Sequence, residues 1–115
     1  MRRLWLLLMT GILLAALAGC GRTSLLPEGQ PYVTGTITEI KGGRILVEQN
    51  PGEQRGNKCW AAYSDKTVYL KQENGQVTRL QGATLAPGQQ VSVWSGAPVL
   101  ESYPCQGGAD VILFQ

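Results

Sequence analysis

Histidine is missing from all 115 residues. Its absence removes the commonest general base, the commonest metal ligand and the side chain that usually changes charge near neutral pH. A Ser-His-Asp triad, a Cys-His dyad and a His-ligated zinc site are excluded with it. A surplus of charge is missing too. Ten Lys and Arg stand against eight Asp and Glu, and the excess equals Arg2 and Arg3. From Cys20 onward the basic residues are scattered singly among as many acids. That pattern lacks the basic patch nucleic-acid binding requires, so nucleic acid is not an expected partner. No apolar run reaches the roughly twenty residues of a permanent membrane span. After residue 31 no amphipathic helical pattern of useful length appears. No motif calls for a cofactor, and the length bounds the chain to one domain.

What is present begins at the amino terminus. Arg2 and Arg3 precede an uncharged run, Leu4 to Ala18, that exits through small residues. A positive start, a short apolar middle and a small-residue exit are the parts of a secretory signal. The exit, Leu17-Ala18-Gly19-Cys20, resembles the lipobox of bacterial lipoproteins. The resemblance implies a signal peptide over residues 1–19, a diacylglyceryl thioether on Cys20, and cleavage just before it. Acylation of the new amine by a fatty acid such as palmitate follows in that class. Two or more buried acyl chains anchor stably where one does not. The alternative is an ordinary cleaved signal with an incidental cysteine. The lipoprotein reading expects a lipid anchor in the cell membrane, inner or outer, with the chain on its extracytoplasmic face. Residues 20–31 carry Pro27, Gly29 and Pro31 and no periodicity, and read as a flexible tether averaging roughly 20 Å.

Assigning Cys20 to lipid leaves Cys59 and Cys105. Outside the cytoplasm such a pair usually oxidises. They lie 46 positions apart, a loop for which chain entropy predicts about 4 kcal/mol of stabilisation. Two independent buried thiols are the alternative. A zinc or redox pair is disfavoured, since neither cysteine sits in a Cys-x-x-Cys motif and histidine is absent. A structural disulfide is expected.

From Tyr32 the chain reads as short strands between turn signals. Tyr32–Ile40 is rich in β-branched residues, and Gly35 within it marks a bulge or a close backbone approach. Lys41-Gly42-Gly43-Arg44 makes a tight turn to a second strand, Ile45–Gln49. After a polar, glycine-rich loop, Asn50–Asn57, come Lys58–Ser64 and Thr67–Lys71. Asn74-Gly75 is a strong hairpin signal leading to Val77–Leu80. Ala83–Gln90 reads as a helical or 3₁₀ turn. Gln90–Ser95 alternates, with Val91 and Val93 on one face and Ser92 and Trp94 on the other. Pro98–Pro104 and Ala109–Gln115 complete about seven strands. The expectation is an all-β domain over residues 32–115, a small antiparallel OB-like barrel.

The carboxyl-terminal half strengthens that expectation. Leu85–Trp94 (a Pro-Gly turn before a Val-x-Val strand), Glu101-Ser102-Tyr103-Pro104 and Ala109–Ile112 follow one another in an order that resembles the YobA-like family of small exported bacterial proteins. The strands Val33–Ile40 and Ile45–Glu48 fit that family's opening hairpin. The resemblance implies an OB-type barrel and export. It carries no catalytic or ligand residues, and cysteines at 59 and 105 are not expected as a family rule.

Candidate site residues follow from chemistry. Trp60, Trp94 and a tyrosine facing outward together would stack sugars or bases; packing within the sheet is the other use of such rings. Tyr103 before Pro104 reads as a corner tyrosine capping a turn. Asp65, Glu101 and Asp110 are the acids from which a glycosidase pair would be drawn, although no spacing selects two of them. The expected function is a non-enzymatic binding or interaction module whose target is an envelope protein or glycan. The alternative is an inhibitor of an envelope-lytic enzyme, for which a rigid protruding Asn50–Asn57 loop would be the sign.

Overall fold

A computed structural model describes residues 25–51 and 57–115. Cys20, the expected signal peptide and residues 21–24 of the expected tether lie outside the described residues, as does the centre of the Asn50–Asn57 loop. The described chain is all β. Its strands are β1 (Val33–Lys41), β2 (Arg44–Glu48), β3 (Lys58–Ala62), β4 (Val68–Glu73), β5 (Gln76–Leu80), β6 (Gln90–Trp94), β7 (Cys105–Gly108) and β8 (Val111–Phe114). Two hairpins form where expected. Gly42 and Gly43 both take positive φ, as do Asn74 and Gly75, which is the backbone a two-residue hairpin turn needs.

Two segments depart from the sequence reading. Ala83–Gln90 forms no helical turn. Instead Gly88 N–H donates to the Ile37 carbonyl and Ile37 N–H to the Gln89 carbonyl, at 2.8 and 2.9 Å. Backbone groups that a helix would pair locally are taken by β1. Pro98–Pro104 forms only one bridge, Leu100 to Gln106. The proline at each end lacks the N–H a ladder needs. The pairing strand is instead β7, whose Cys-Gln-Gly-Gly sequence has no apolar alternation to announce it.

The sheet order is β5-β4-β8-β6-β1-β2-β3-β7. Five pairings are antiparallel; β3 with β7 and β4 with β8 are parallel. The parallel pairs explain the curl. β3 runs on into β4 and β7 into β8, and the two ladders are joined across the corner. Ala109 N–H donates to the Ala62 carbonyl at 2.7 Å, and Val68 N–H to the Asp110 carbonyl at 2.9 Å. Taken as two long kinked strands, the pairings make a circuit: β1, β2, β3/β4, β7/β8, β6 and back to β1. Such a five-stranded circuit with one parallel contact is the connectivity of a small OB-like barrel, and β5 hangs from β4 outside it.

The core lies within that curl. Ile37, Ile45, Val47, Ala61, Val91, Val93 and Ile112 are fully buried, each from an inward position of its strand. Gly35 is the close approach: a Cβ there would overlap the Glu48 carbonyl oxygen and sit 2.6 Å from its carbon. The bulge lies further on, where the β1–β2 register slips between Ile37 and Glu39. That slip returns Ile40 to the core side. Ser92, expected on the outer face, is buried beneath Thr34 and Gln115, whose side chains both reach its hydroxyl at 2.9 Å.

Candidate functional site

The corner between β3 and β4 builds the most chemically mixed surface. Between paired positions the β3/β4 strand spends five residues, Tyr63–Thr67, where the β7/β8 strand spends two. The surplus is pushed outward and locked by its own hydroxyls. Thr67 Oγ1 accepts from Ser64 N–H at 2.9 Å and donates to the Ala109 carbonyl at 2.7 Å. Ser64 Oγ accepts from Lys66 N–H, and Tyr63 N–H donates to the Gly43 carbonyl of the β1–β2 turn. Across from this rim runs the end of β5 and the chain after it. Between them is a groove of about 730 Å³ lined by Tyr63, Asp65, Tyr69, Arg79 and Gln81, among others.

Those side chains differ in what they offer. Tyr69 is held by Phe114, the rings stacked 6.1 Å apart. Burial, then the neighbouring Tyr63, pushes its phenol above the ordinary value of 10.0. Asp65 is the one carboxylate in the lining and Arg79 the one guanidinium. Neither forms an ion pair; the pair among the described residues is Lys71 with Glu73. The groove thus presents ring surface, one acceptor group, one five-donor fork and an amide, without a second acid to share proton transfer.

The other aromatic residues are dispersed. Trp60 lies on the outer side of β3, with the Arg44 guanidinium 4.9 Å over its ring. Lys58 stands 5.4 Å over the ring of Tyr103, which is 60% exposed. Trp94 makes no ring contact with Trp60; the ring pair among the described residues is Tyr69 with Phe114. The Trp94 indole N–H donates to the Gly29 carbonyl at 3.2 Å and holds the amino-terminal segment to β6. Tyr32 is structural: its hydroxyl donates to the Gly108 carbonyl at 2.6 Å.

The three candidate acids do not converge. Asp65 lines the groove, Asp110 accepts from Gly96 N–H at 2.6 Å, and Glu101 is exposed in the segment before β7. Among the described residues no three potential metal ligands gather. Cys59 and Cys105 are register partners across β3 and β7, with Cα atoms 4.3 Å apart, and form a disulfide. Beside it opens a second hollow, of about 440 Å³, lined by Gln30–Thr34, Lys58, Ser102 and Tyr103, among others. Sequence reasoning singled out Asp65, sought an outward tyrosine without selecting Tyr63 or Tyr69, and missed Arg79 and Gln81. The mismatch of five residues against two that gathers them carries no local signal.

Residues 34–112 match the model of a family described as protein of unknown function, DUF3221. No curated protein and no solved structure gives a match.

Proposed function

The chain belongs to the DUF3221 family, which assigns no activity, and from the geometry we propose that it is an extracytoplasmic lipoprotein whose barrel is a non-enzymatic binding module of the bacterial envelope. The groove between Tyr63–Tyr69 and Arg79–Ala83 is its binding site, and an envelope glycan or protein segment is its target. One observation carries this: the groove sets tyrosine rings beside an unpaired Arg79 and Asp65. Rings with a few convergent polar groups are the usual lining of a recognition site. A single carboxylate and the lack of histidine favour binding over turnover. The lipobox at Leu17–Cys20 supports the anchored location. The likeness of the Pro87-Gly88 turn and the Ser102–Pro104 corner to the YobA-like proteins supports export.

The test is a crosslinked pull-down from envelope extract with the intact lipidated protein, alongside Arg79→Ala and Asp65→Asn variants. Both residues lie outside the core, so the variants keep the fold. A target captured by the wild type and lost with either variant supports the site. Equal capture by all three proteins places binding elsewhere.

A further inference from the structure

The barrel has an end at which the amino-terminal segment enters, and exposed apolar side chains gather there. Gln30–Tyr32 share the hollow beside the disulfide with Lys58, Ser102 and Tyr103. The exposed large hydrophobic residues among those described are Leu25 (51%), Leu100 (61%) and Tyr103 (60%). Leu25 precedes the entering segment, Tyr103 lines the hollow, and Leu100 is bridged to Gln106, next to the disulfide. Two of these three, Leu100 and Tyr103, therefore belong to the segment that runs beside the hollow and the disulfide.

We propose that this end rests on the lipid bilayer, with Leu100 and Tyr103 in the interfacial layer. The proposal rests on the reading of Cys20 as the lipid anchor. Nine residues separate Gly29, which Trp94 holds, from Cys20, a length that reaches at most about 32 Å. The end that carries Gln30 is therefore kept next to the membrane, and it is the end with the apolar surface. Tyrosine suits the interface because its ring is apolar and its hydroxyl wet. Lys58, 5.4 Å over the Tyr103 ring, lies level with the phosphate layer when that ring is inserted. Glu101, two positions before Tyr103, is exposed and offsets Lys58. The contact is therefore set by Leu100 and Tyr103, and depends only weakly on anionic lipid and salt.

The test reads depth in the intact lipidated protein reconstituted in phosphatidylethanolamine–phosphatidylglycerol vesicles. Leu100→Trp adds a reporter at the proposed contact, and Gln76→Trp adds one on exposed β5. Emission beyond that of the native tryptophans is followed with brominated lipids and with aqueous iodide. At position 100 the added emission is expected to fall severalfold more with bromolipid than at position 76, and to be shielded from iodide. Tyr103→Trp, a conservative change, gives the same reading if Leu100→Trp does not fold. Acylated, vesicle-bound protein whose reporters at 100 and 103 quench like that at 76 overturns the docking and leaves the anchor standing. Protein without acyl groups on Cys20 overturns both.

Discussion

Tyr32 shows how one side chain ties the entering segment to the barrel. Its hydroxyl donates to Gly108, and its ring lies where a side chain on Gly107 would collide at 3.0 Å. Burial, then the charge of Asp110, raises its phenol above the ordinary 10.0. The folded state therefore holds a proton that the unfolded chain gives up near pH 10. The contribution is fully present below that pH and is lost progressively as pH rises above it. Urea unfolding at pH 8 and pH 10.5 is expected to show the wild type losing more stability over that interval than Tyr32→Phe. At pH 8 the same variant is expected to cost about 1–2 kcal/mol, because the Gly108 carbonyl loses its partner. Gly35 is the second residue with no substitute. A methyl group there meets the Glu48 backbone rather than a movable side chain. Gly35→Ala is expected to destabilise by about 1–3 kcal/mol, as overpacking does, measured by the same unfolding assay.

At the scale of elements, the disulfide joins two strands that meet only because the chain returns after 46 positions. β7 has two glycines and little apolar area, so it contributes little packing of its own. The Cys59–Cys105 bond holds it to β3. Changing both cysteines to Ala is expected to cost about 2–5 kcal/mol in denaturant unfolding. Wild-type protein is expected to show no free thiol at either position under denaturing alkylation. The same strand marks the limit of what the sequence discloses. β1 and β6 are legible because β-branched residues alternate along them, and β2 because a short apolar run, Ile45-Leu46-Val47, follows a glycine turn. The hairpin turns are legible because Gly42-Gly43 and Asn74-Gly75 supply positive φ. β7 and the parallel ladders are not, since a parallel contact between distant segments leaves no periodicity in either. Only the cysteine pair hints that β3 and β7 are neighbours. The groove is illegible for the same reason. Arg79 and Tyr63 are brought together by a corner where one strand takes five residues and its neighbour two.

At the scale of the whole molecule, the strands and the core lie between Val33 and Phe114, so the proposed binding groove and the proposed anchor at Cys20 occupy separate parts of the chain. Among the described residues the candidate acids Asp65, Glu101 and Asp110 stand apart, which supports the proposed binding role. The purified protein is therefore expected to show no turnover on ester, peptide, phosphate or glycan substrates. Turnover abolished by Asp65→Asn or Glu101→Gln would reverse that reading. In the proposed lipoprotein, anchoring rests on one sulfur. On that proposal the short apolar leader after Arg2 and Arg3 directs export, but fifteen uncharged residues interrupted by Thr10 and Gly11 are short for a permanent span. Stable residence then requires acyl chains, each buried methylene adding about 0.8 kcal/mol. Without the thiol there is no diacylglyceryl attachment, and processing before position 20 has no substrate. Cys20→Ala is expected to leave the chain unprocessed or soluble, and to abolish incorporation of labelled fatty acid. Fractionation of cells expressing each form checks this directly. Equal label in wild type and variant would show that the lipid is attached elsewhere, and that the seam at Leu17–Cys20 serves only as an ordinary signal exit.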